Sequence, residues 1–162
     1  MSKRTVLSGL AAAFGVSAML LASMPGSASA AEVGTRAEGR QYKNVQTGLC
    51  LDSDANGNAY TKSCGTDNPY QRWSLVWRDN GYLLRNEATS RCLEVGGGDS
   101  VRTGLCPTYP ASSYQWSWDF VAGERLILKN GANGRALDSN AKGQLYTSPY
   151  GTGNPYMQWW QW

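Results

Sequence analysis

Two stretches of this chain are nearly the same. LDSDANGNAYTKSCGTDNPYQRW, Leu51 to Trp73, returns eighty-six residues later as LDSNAKGQLYTSPYGTGNPYMQW, Leu137 to Trp159, with no gap. The same shift pairs Lys43-Asn44 with Lys129-Asn130, Gly57 with Gly143, Tyr60-Thr61 with Tyr146-Thr147, and Asn68-Pro69-Tyr70 with Asn154-Pro155-Tyr156. A shift of forty-two lays Cys50-Leu51-Asp52 on Cys92-Leu93-Glu94 and Cys64 on Cys106. The chain therefore divides into three units, about 41–77, 78–121 and 122–162, of which the middle one diverges most. A repeat of this length is one supersecondary unit that cannot bury its apolar face alone. Three of them can share a core about a pseudo-threefold axis.

Within a unit the pattern is short strands between turns. In the first, Tyr42 to Val45, Leu49 to Ser53, Ala59 to Ser63 and Gln71 to Trp77 read as strands. Asn56-Gly57, Gly65 and Asn68-Pro69 read as turns. No long segment has a 3.6-residue apolar period, so the expectation is an all-β domain of about twelve short strands. Each unit closes on a tryptophan-rich string: Gln71-Arg72-Trp73-Ser74-Leu75, Trp116-Ser117-Trp118-Asp119-Phe120 and Gln158-Trp159-Trp160-Gln161-Trp162. Strand alternation sends one set of side chains inward. Trp73, Trp118 and Trp160, with Leu75, Phe120 and Trp162, are read as the shared core. Gln71 and Gln158 are read as partners for backbone groups behind it, since buried amides need partners. In the middle unit Trp116 takes that glutamine's place.

The first thirty residues read as an export leader rather than as part of the fold. Lys3 and Arg4 are followed by an apolar run to Leu21 and by Ala28-Ser29-Ala30, a small-residue cleavage pattern. The alternative, a membrane anchor, is disfavoured by a short run that Gly and Ser interrupt. Residues 31–40 form a polar lead-in. Cleavage after Ala30 leaves 132 residues, enough for one domain with one core. Thirteen basic residues then face twelve acidic ones, a net charge of +1. That balance argues against nucleic acid or an anionic membrane as partner. Cys50 and Cys64 are fourteen apart, and so are Cys92 and Cys106, which in an exported chain favours two local disulfides over the other pairings. There is no C-x-x-C pair and no histidine, which removes the usual zinc sets and every histidine-based triad. No cofactor or metal is implied.

Three units that end in Gln-x-Trp-like strings and start on Cys-Leu-Asp or a close variant resemble the ricin-B-type lectin family, whose fold is the β-trefoil. The resemblance spans nearly the whole of 41–162. Leu51-Asp52-Ser53, Gly57-Asn58-Ala59-Tyr60-Thr61 and Tyr70-Gln71-Arg72-Trp73 are similar, within the family, to small bacterial trefoil lectins that take high-mannose glycans. Gly65 and Gly151 depart from that pattern, which has Asn there. The resemblance implies a sugar pocket in each unit, built from an early Asp, a mid-unit aromatic and a later polar residue. Those positions are Asp52, Tyr60 and Asn68 in the first unit and Asp138, Tyr146 and Asn154 in the third. The middle unit has Glu94 for Asp and Arg102 for Tyr, with Gly96-Gly97-Gly98 in the turn. Its pocket is expected to be weak, altered or dead.

These residue types suit a sugar. Adjacent hydroxyls can donate a pair of hydrogen bonds to one carboxylate, and charge-assisted bonds are the stronger kind. The C–H face of a hexose can lie on a tyrosine ring, and an amide both donates and accepts as hydroxyls do. Turn-and-strand duty is the competing reading: Asp52 could cap the following turn and Tyr60 could be a half-buried strand residue. Repetition of the pair at Asp138 and Tyr146 favours binding. Asp54 and its counterpart Asn140 fit turn chemistry better, and Ser53 and Ser139 fit either. The expected function is thus a secreted, non-catalytic lectin whose partners are glycans or polysaccharide: mannose-type, with galactose or xylan as the broader alternative. A glycoside hydrolase would need a second facing carboxylate. Asp54 is the only neighbour offered, and it has no acidic counterpart in the third unit. A protein-binding trefoil, such as an inhibitor or toxin component, would use the middle unit's Thr108-Tyr109-Pro110-Ala111-Ser112 loop.

Overall fold

The computed structural model describes residues 39–162 and is all-β over them. The expected leader at 1–30, and the lead-in except for Gly39 and Arg40, lie outside the described residues. The first unit holds β1 (Tyr42–Asn44), β2 (Cys50–Ser53), β3 (Ala59–Lys62) and β4 (Trp73–Arg78). The second holds β5 (Gly81–Asn86), β6 (Arg91–Val95), β7 (Val101–Leu105) and β8 (Trp116–Val121). The third holds β9 (Arg125–Asn130), β10 (Ala136–Ser139), β11 (Leu145–Ser148) and β12 (Gln158–Gln161). A single 3₁₀ turn precedes each closing strand, at Pro69–Gln71, Ser112–Tyr114 and Pro155–Met157. Gln71 therefore sits in a turn rather than in the expected strand.

All pairings are antiparallel. β1, β12, β9, β8, β5 and β4 run side by side. Reciprocal backbone bonds between Arg40 and Trp73, at 3.0 and 2.9 Å, close that wall into a barrel. The hairpins β2–β3, β6–β7 and β10–β11 complete a β-trefoil. Each hairpin turn is tied to the strand of another unit. Thr61 N–H donates to Gly143 O at 2.9 Å, Thr103 to Gly57 O at 2.8 Å, and Thr147 to Asp99 O at 2.8 Å. These three bonds form a closed ring, which is how the pseudo-threefold is held.

The ring explains two of the repeated glycines. Gly57 and Gly143 have φ of +94° and +80°, which side chains with a Cβ rarely adopt. A Cβ on Gly143 would also stand 2.5 Å from the backbone oxygen of Thr61. Gly143→Ala is expected to destabilise the domain by about 1–2 kcal/mol in urea unfolding. An unchanged midpoint would show that the ring bond is dispensable.

The core differs from the sequence expectation in two of three units. Trp73, Trp116 and Trp159 are the buried indoles, at 0, 1 and 0 % exposure, whereas Phe120 is 70 %, Trp162 55 % and Trp160 38 % exposed. Trp118 and Leu75 only pack against the edge of the core. In the third unit the reason is strand phase, and in the middle unit a shift of two residues along the same face; the hydrogen bonds fix both. Each buried indole N–H donates to a leucine carbonyl of its own hairpin: Trp73 to Leu51 at 3.1 Å, Trp116 to Leu93 at 3.0 Å, Trp159 to Leu137 at 3.1 Å. Leu51, Leu93 and Leu137 fill the same core. Opposite each indole in the ladder stands a buried asparagine: Asn86, Asn130 and Asn44. Its amide donates to the 3₁₀ turn, at Tyr70 O, Ser113 O and Tyr156 O, while its oxygen accepts backbone N–H groups of the following loop. Placing Trp159 on Trp73 moves the glutamine equivalence as well. Gln71 corresponds to Tyr114 and Met157, not to Trp116 and Gln158. Gln158 corresponds to Arg72, and both reach the same carbonyl position, Thr152 O at 2.6 Å and Thr66 O at 3.0 Å.

Both expected disulfides are present, Cys50–Cys64 and Cys92–Cys106, with Cα atoms 5.1 and 4.9 Å apart. In the third unit the equivalent positions are Ala136, fully buried, and Tyr150. The Tyr150 ring lies under Lys129 Nζ at 4.9 Å. Lys129 also pairs with Asp119 at 3.4 Å.

Candidate functional site

Asp52 and Asp138 are adjacent to the core leucines Leu51 and Leu137 in β2 and β10. Alternation turns them to the opposite face. Both are nonetheless 3 % exposed, because the following hairpin strand and the 3₁₀ turn close over them. Asp52 pairs with Tyr60 across β2–β3, and Asp138 pairs with Tyr146 across β10–β11, so carboxylate and ring are direct cross-strand neighbours. The asparagine arrives from the 3₁₀ turn. Asn68 Oδ1 accepts the N–H of Tyr70 at 3.0 Å and Asn154 Oδ1 that of Tyr156 at 3.0 Å, so each caps its turn while facing its carboxylate. All six expected residues are thus brought together, three and three.

Each trio lines an open depression, about 330 Å³ in the first unit and about 400 Å³ in the third. The other walls also correspond at a shift of eighty-six. Asp54 and Ala55 answer to Asn140 and Ala141, Asn56 to Lys142, and Tyr70 to Tyr156. The tyrosines at 70 and 156 are residues the sequence reading missed. Their repetition was visible, but nothing local showed that a 3₁₀ turn would swing them to the pocket. Asp54 does the turn work expected of it: its Oδ1 accepts the N–H of Asn56 at 2.9 Å and of Asn58 at 3.0 Å, and its Oδ2 the Asn58 amide at 2.7 Å. The Asn58 side-chain bond is the main cause that holds its carboxyl below the usual range. Asn140 builds the same turn without the charge, accepting from Lys142 and Gln144. The first pocket therefore carries Asp52, Asp54 and Lys62, the third Asp138 and Lys142.

The tyrosines remain neutral. Burial first, and then the charges of Asp52 and Asp54, push the Tyr60 phenol above its ordinary pKa. For Tyr146 burial again leads, followed by the Asp138 charge and a side-chain hydrogen bond to it. Each ring thus offers an apolar face beside a carboxylate, with a hydroxyl that stays a donor.

The middle unit is built differently. Glu94, 7 % exposed, accepts Arg102 Nε at 2.9 Å. Tyr114, in the position of Gln71, also hydrogen-bonds Glu94; burial first and that bond second push its phenol up. The carboxylate equivalent to Asp52 is satisfied from two sides inside the protein. A further depression of about 370 Å³ lies between Arg40, Arg72 and Trp162 beside Cys64, and the middle unit has one of about 260 Å³ at the equivalent place beside Cys106; neither is lined by a carboxylate.

No curated protein sequence matches the chain. Solved structures do. A designed threefold-symmetric protein, ThreeFoil, superposes with a TM-score of 0.67 at 22 % identity, over 75 % of this chain and 96 % of its own. SeviL, solved bound to the asialo-GM1 saccharide, gives 0.63 at 19 % identity, over 77 % of this chain and 97 % of its own. A GlcNAcα1-4Gal-releasing endo-β-galactosidase from Clostridium perfringens gives 0.69 at 22 % identity, over 77 % of this chain and 32 % of that longer one. At such identities these likenesses speak for the fold alone. The family model of the ricin-type β-trefoil lectin domain matches residues 38–159. With that match across all three units, the chain belongs to the ricin-type β-trefoil lectin family.

Proposed function

We propose that the protein is a secreted, non-catalytic lectin that holds mannose-type glycans in the pockets of its first and third units. The observation that carries this reading is the congruence of the two pockets. The fold needs the leucines, indoles, asparagines and turn glycines to repeat; it does not need Asp52, Tyr60, Asn68 and Tyr70 to return as Asp138, Tyr146, Asn154 and Tyr156 around an open depression. The carboxylate would accept a vicinal pair of sugar hydroxyls, the first tyrosine would carry the C–H face, and the second tyrosine with the asparagine amide would close the far side. A pocket built this way disfavours ligands that lack those hydroxyls, because its own polar groups are left unpaired.

Hydrolysis is a poor fit. Two carboxylates must flank the scissile bond, and the third pocket is lined by Asp138 alone. Export is supported by the leader pattern at 1–30 and by two disulfides, which persist in oxidising compartments. Single open pockets bind weakly, and two on one rigid body gain avidity for a branched glycan that reaches both.

A glycan array with the unsubstituted protein and with Asp52→Asn/Asp138→Asn tests this. High-mannose glycans should be retained by the former and lost by the double variant. Galactose- or xylan-type ligands in their place would keep the lectin reading and change the sugar; no glycan retained at all would end it.

A further inference from the structure

The two copied pockets differ behind the carboxylate. In the first unit Gln71 Nε2 donates to Asp52 Oδ2 at 2.9 Å and to Ser63 O at 2.9 Å, while Gln71 Oε1 accepts the N–H of Gly65 at 2.8 Å. The Asn68 amide also reaches Asp52 Oδ2, at 3.5 Å. In the third unit the position of Gln71 is Met157, 5 % exposed, whose side chain has no N–H to give. Asp138 Oδ1 is correspondingly buried without a hydrogen-bond partner. The Asn154 side chain differs in the same direction: its oxygen caps the turn, and no bond ties its amide to Asp138.

Resting on the lectin reading, we propose that the third unit holds the tighter sugar site and that the residue at 71 or 157 sets the ranking. A hydrogen bond donated to one carboxylate oxygen draws electron density toward it and weakens the other as an acceptor. Asp52 has given part of its capacity to Gln71, and one N–H of the Asn68 amide is also turned toward it. Asp138 takes the Tyr146 hydroxyl but nothing from behind, where its Oδ1 stays unpartnered, and the Asn154 amide is not tied to it. The recognised chemistry is a vicinal diol of a hexose, which offers two donors to one carboxylate and an oxygen to the amide. Glu94 carries the same logic further: Arg102 and Tyr114 both engage it.

The test isolates each pocket. Methyl α-mannoside and methyl β-galactoside are titrated into Asp52→Asn, which leaves the third pocket, and into Asp138→Asn, which leaves the first. The third pocket alone should bind about three- to tenfold more tightly, the worth of one net hydrogen bond. Met157→Gln in the Asp52→Asn background should bring that affinity down to the level of the first pocket. The same change should raise the thermal midpoint, since it supplies a donor to a buried oxygen, and Gly151 and Pro149 hold the sequence positions of Gln71's backbone partners Gly65 and Ser63. A purely structural role would move affinity and midpoint together; opposite signs mark the proposed one. Gln71→Met in the Asp138→Asn background is the converse, and Met157→Gln stands without it if that variant folds poorly. Equal affinities, a reversed order, or an affinity unmoved by Met157→Gln would overturn the ranking. If the unsubstituted protein binds neither glycoside nor methyl β-xyloside, the lectin reading fails and the ranking falls with it.

Discussion

Replacing Trp159 by alanine should cost the domain about 3–5 kcal/mol, while the same change at its neighbour Trp160 should cost less than about 1 kcal/mol. The two residues are adjacent and chemically identical, and only strand phase separates them. Trp159 is fully buried among Leu137, Leu51 and the other two indoles, so its removal leaves a cavity that a closed barrel cannot collapse. It also orphans the Leu137 carbonyl, which accepts the indole N–H at 3.1 Å. Trp160 is 38 % exposed, and its indole makes no hydrogen bond among the described residues. Urea unfolding of the two variants measures the contrast directly. Comparable losses, or a larger loss at Trp160, would mean that β12 is read in the wrong phase.

The second large effect is a disulfide the third unit lacks. Ala136→Cys with Tyr150→Cys should close on oxidation and stabilise the domain by about 2–3 kcal/mol, the scale for a loop of this length. That is a rise of about 5–10 °C in the midpoint. Ala136 stands opposite Ser148 in the β10–β11 ladder as Cys50 stands opposite Lys62 and Cys92 opposite Gly104. Position 150 is the counterpart of Cys64, and the backbone around it repeats that of the first unit. The change gives up the contact of Lys129 with the Tyr150 ring and the hydrogen bond between Tyr150 and Asp119, both at the surface, where solvent screens such contacts. Peptide mapping under non-reducing conditions identifies the bridge. Free thiols at both positions after oxidation, or an unmoved midpoint, would show that the third unit departs locally from the other two.

Much of the frame was legible because repetition is a strong signal. The ungapped shift of eighty-six fixed the first unit against the third, and the cysteine spacing fixed the hairpins and both disulfides. The core phase was not legible from alternation alone. The string Trp159-Trp160-Gln161-Trp162 offers an aromatic residue in either phase, and Trp116-Ser117-Trp118 offers two on the same face. The choice is made by two partners distant in sequence, a leucine carbonyl about twenty-two residues earlier and an asparagine on the neighbouring strand. The middle unit adds one residue between Cys106 and Trp116, so a constant shift of forty-two misplaces its closing strand. The shift of eighty-six, applied through to Trp159, already contained the right phase for the third unit.

The candidate pockets were legible in their repeated Asp, Tyr and Asn. Tyr70 and Tyr156 were not, because a 3₁₀ turn rather than a strand directs them, and side-chain direction there follows no period of two. The asymmetry of Gln71 and Met157 was hidden by the phase error, which set Gln158 against Gln71. Once Trp159 takes its place in the core, the methionine moves behind Asp138, and the difference between the pockets becomes visible.

The central claim is that two congruent pockets, and not the fold's third, take sugar. Calorimetric stoichiometry with methyl α-mannoside, or with whichever monosaccharide the array selects, measures it most directly. The account predicts two sugars per chain for the unsubstituted protein, one for Asp52→Asn and for Asp138→Asn, and none for the double variant, with all four proteins unfolding cooperatively. Three sugars per chain, or undiminished binding by the double variant, would contradict it.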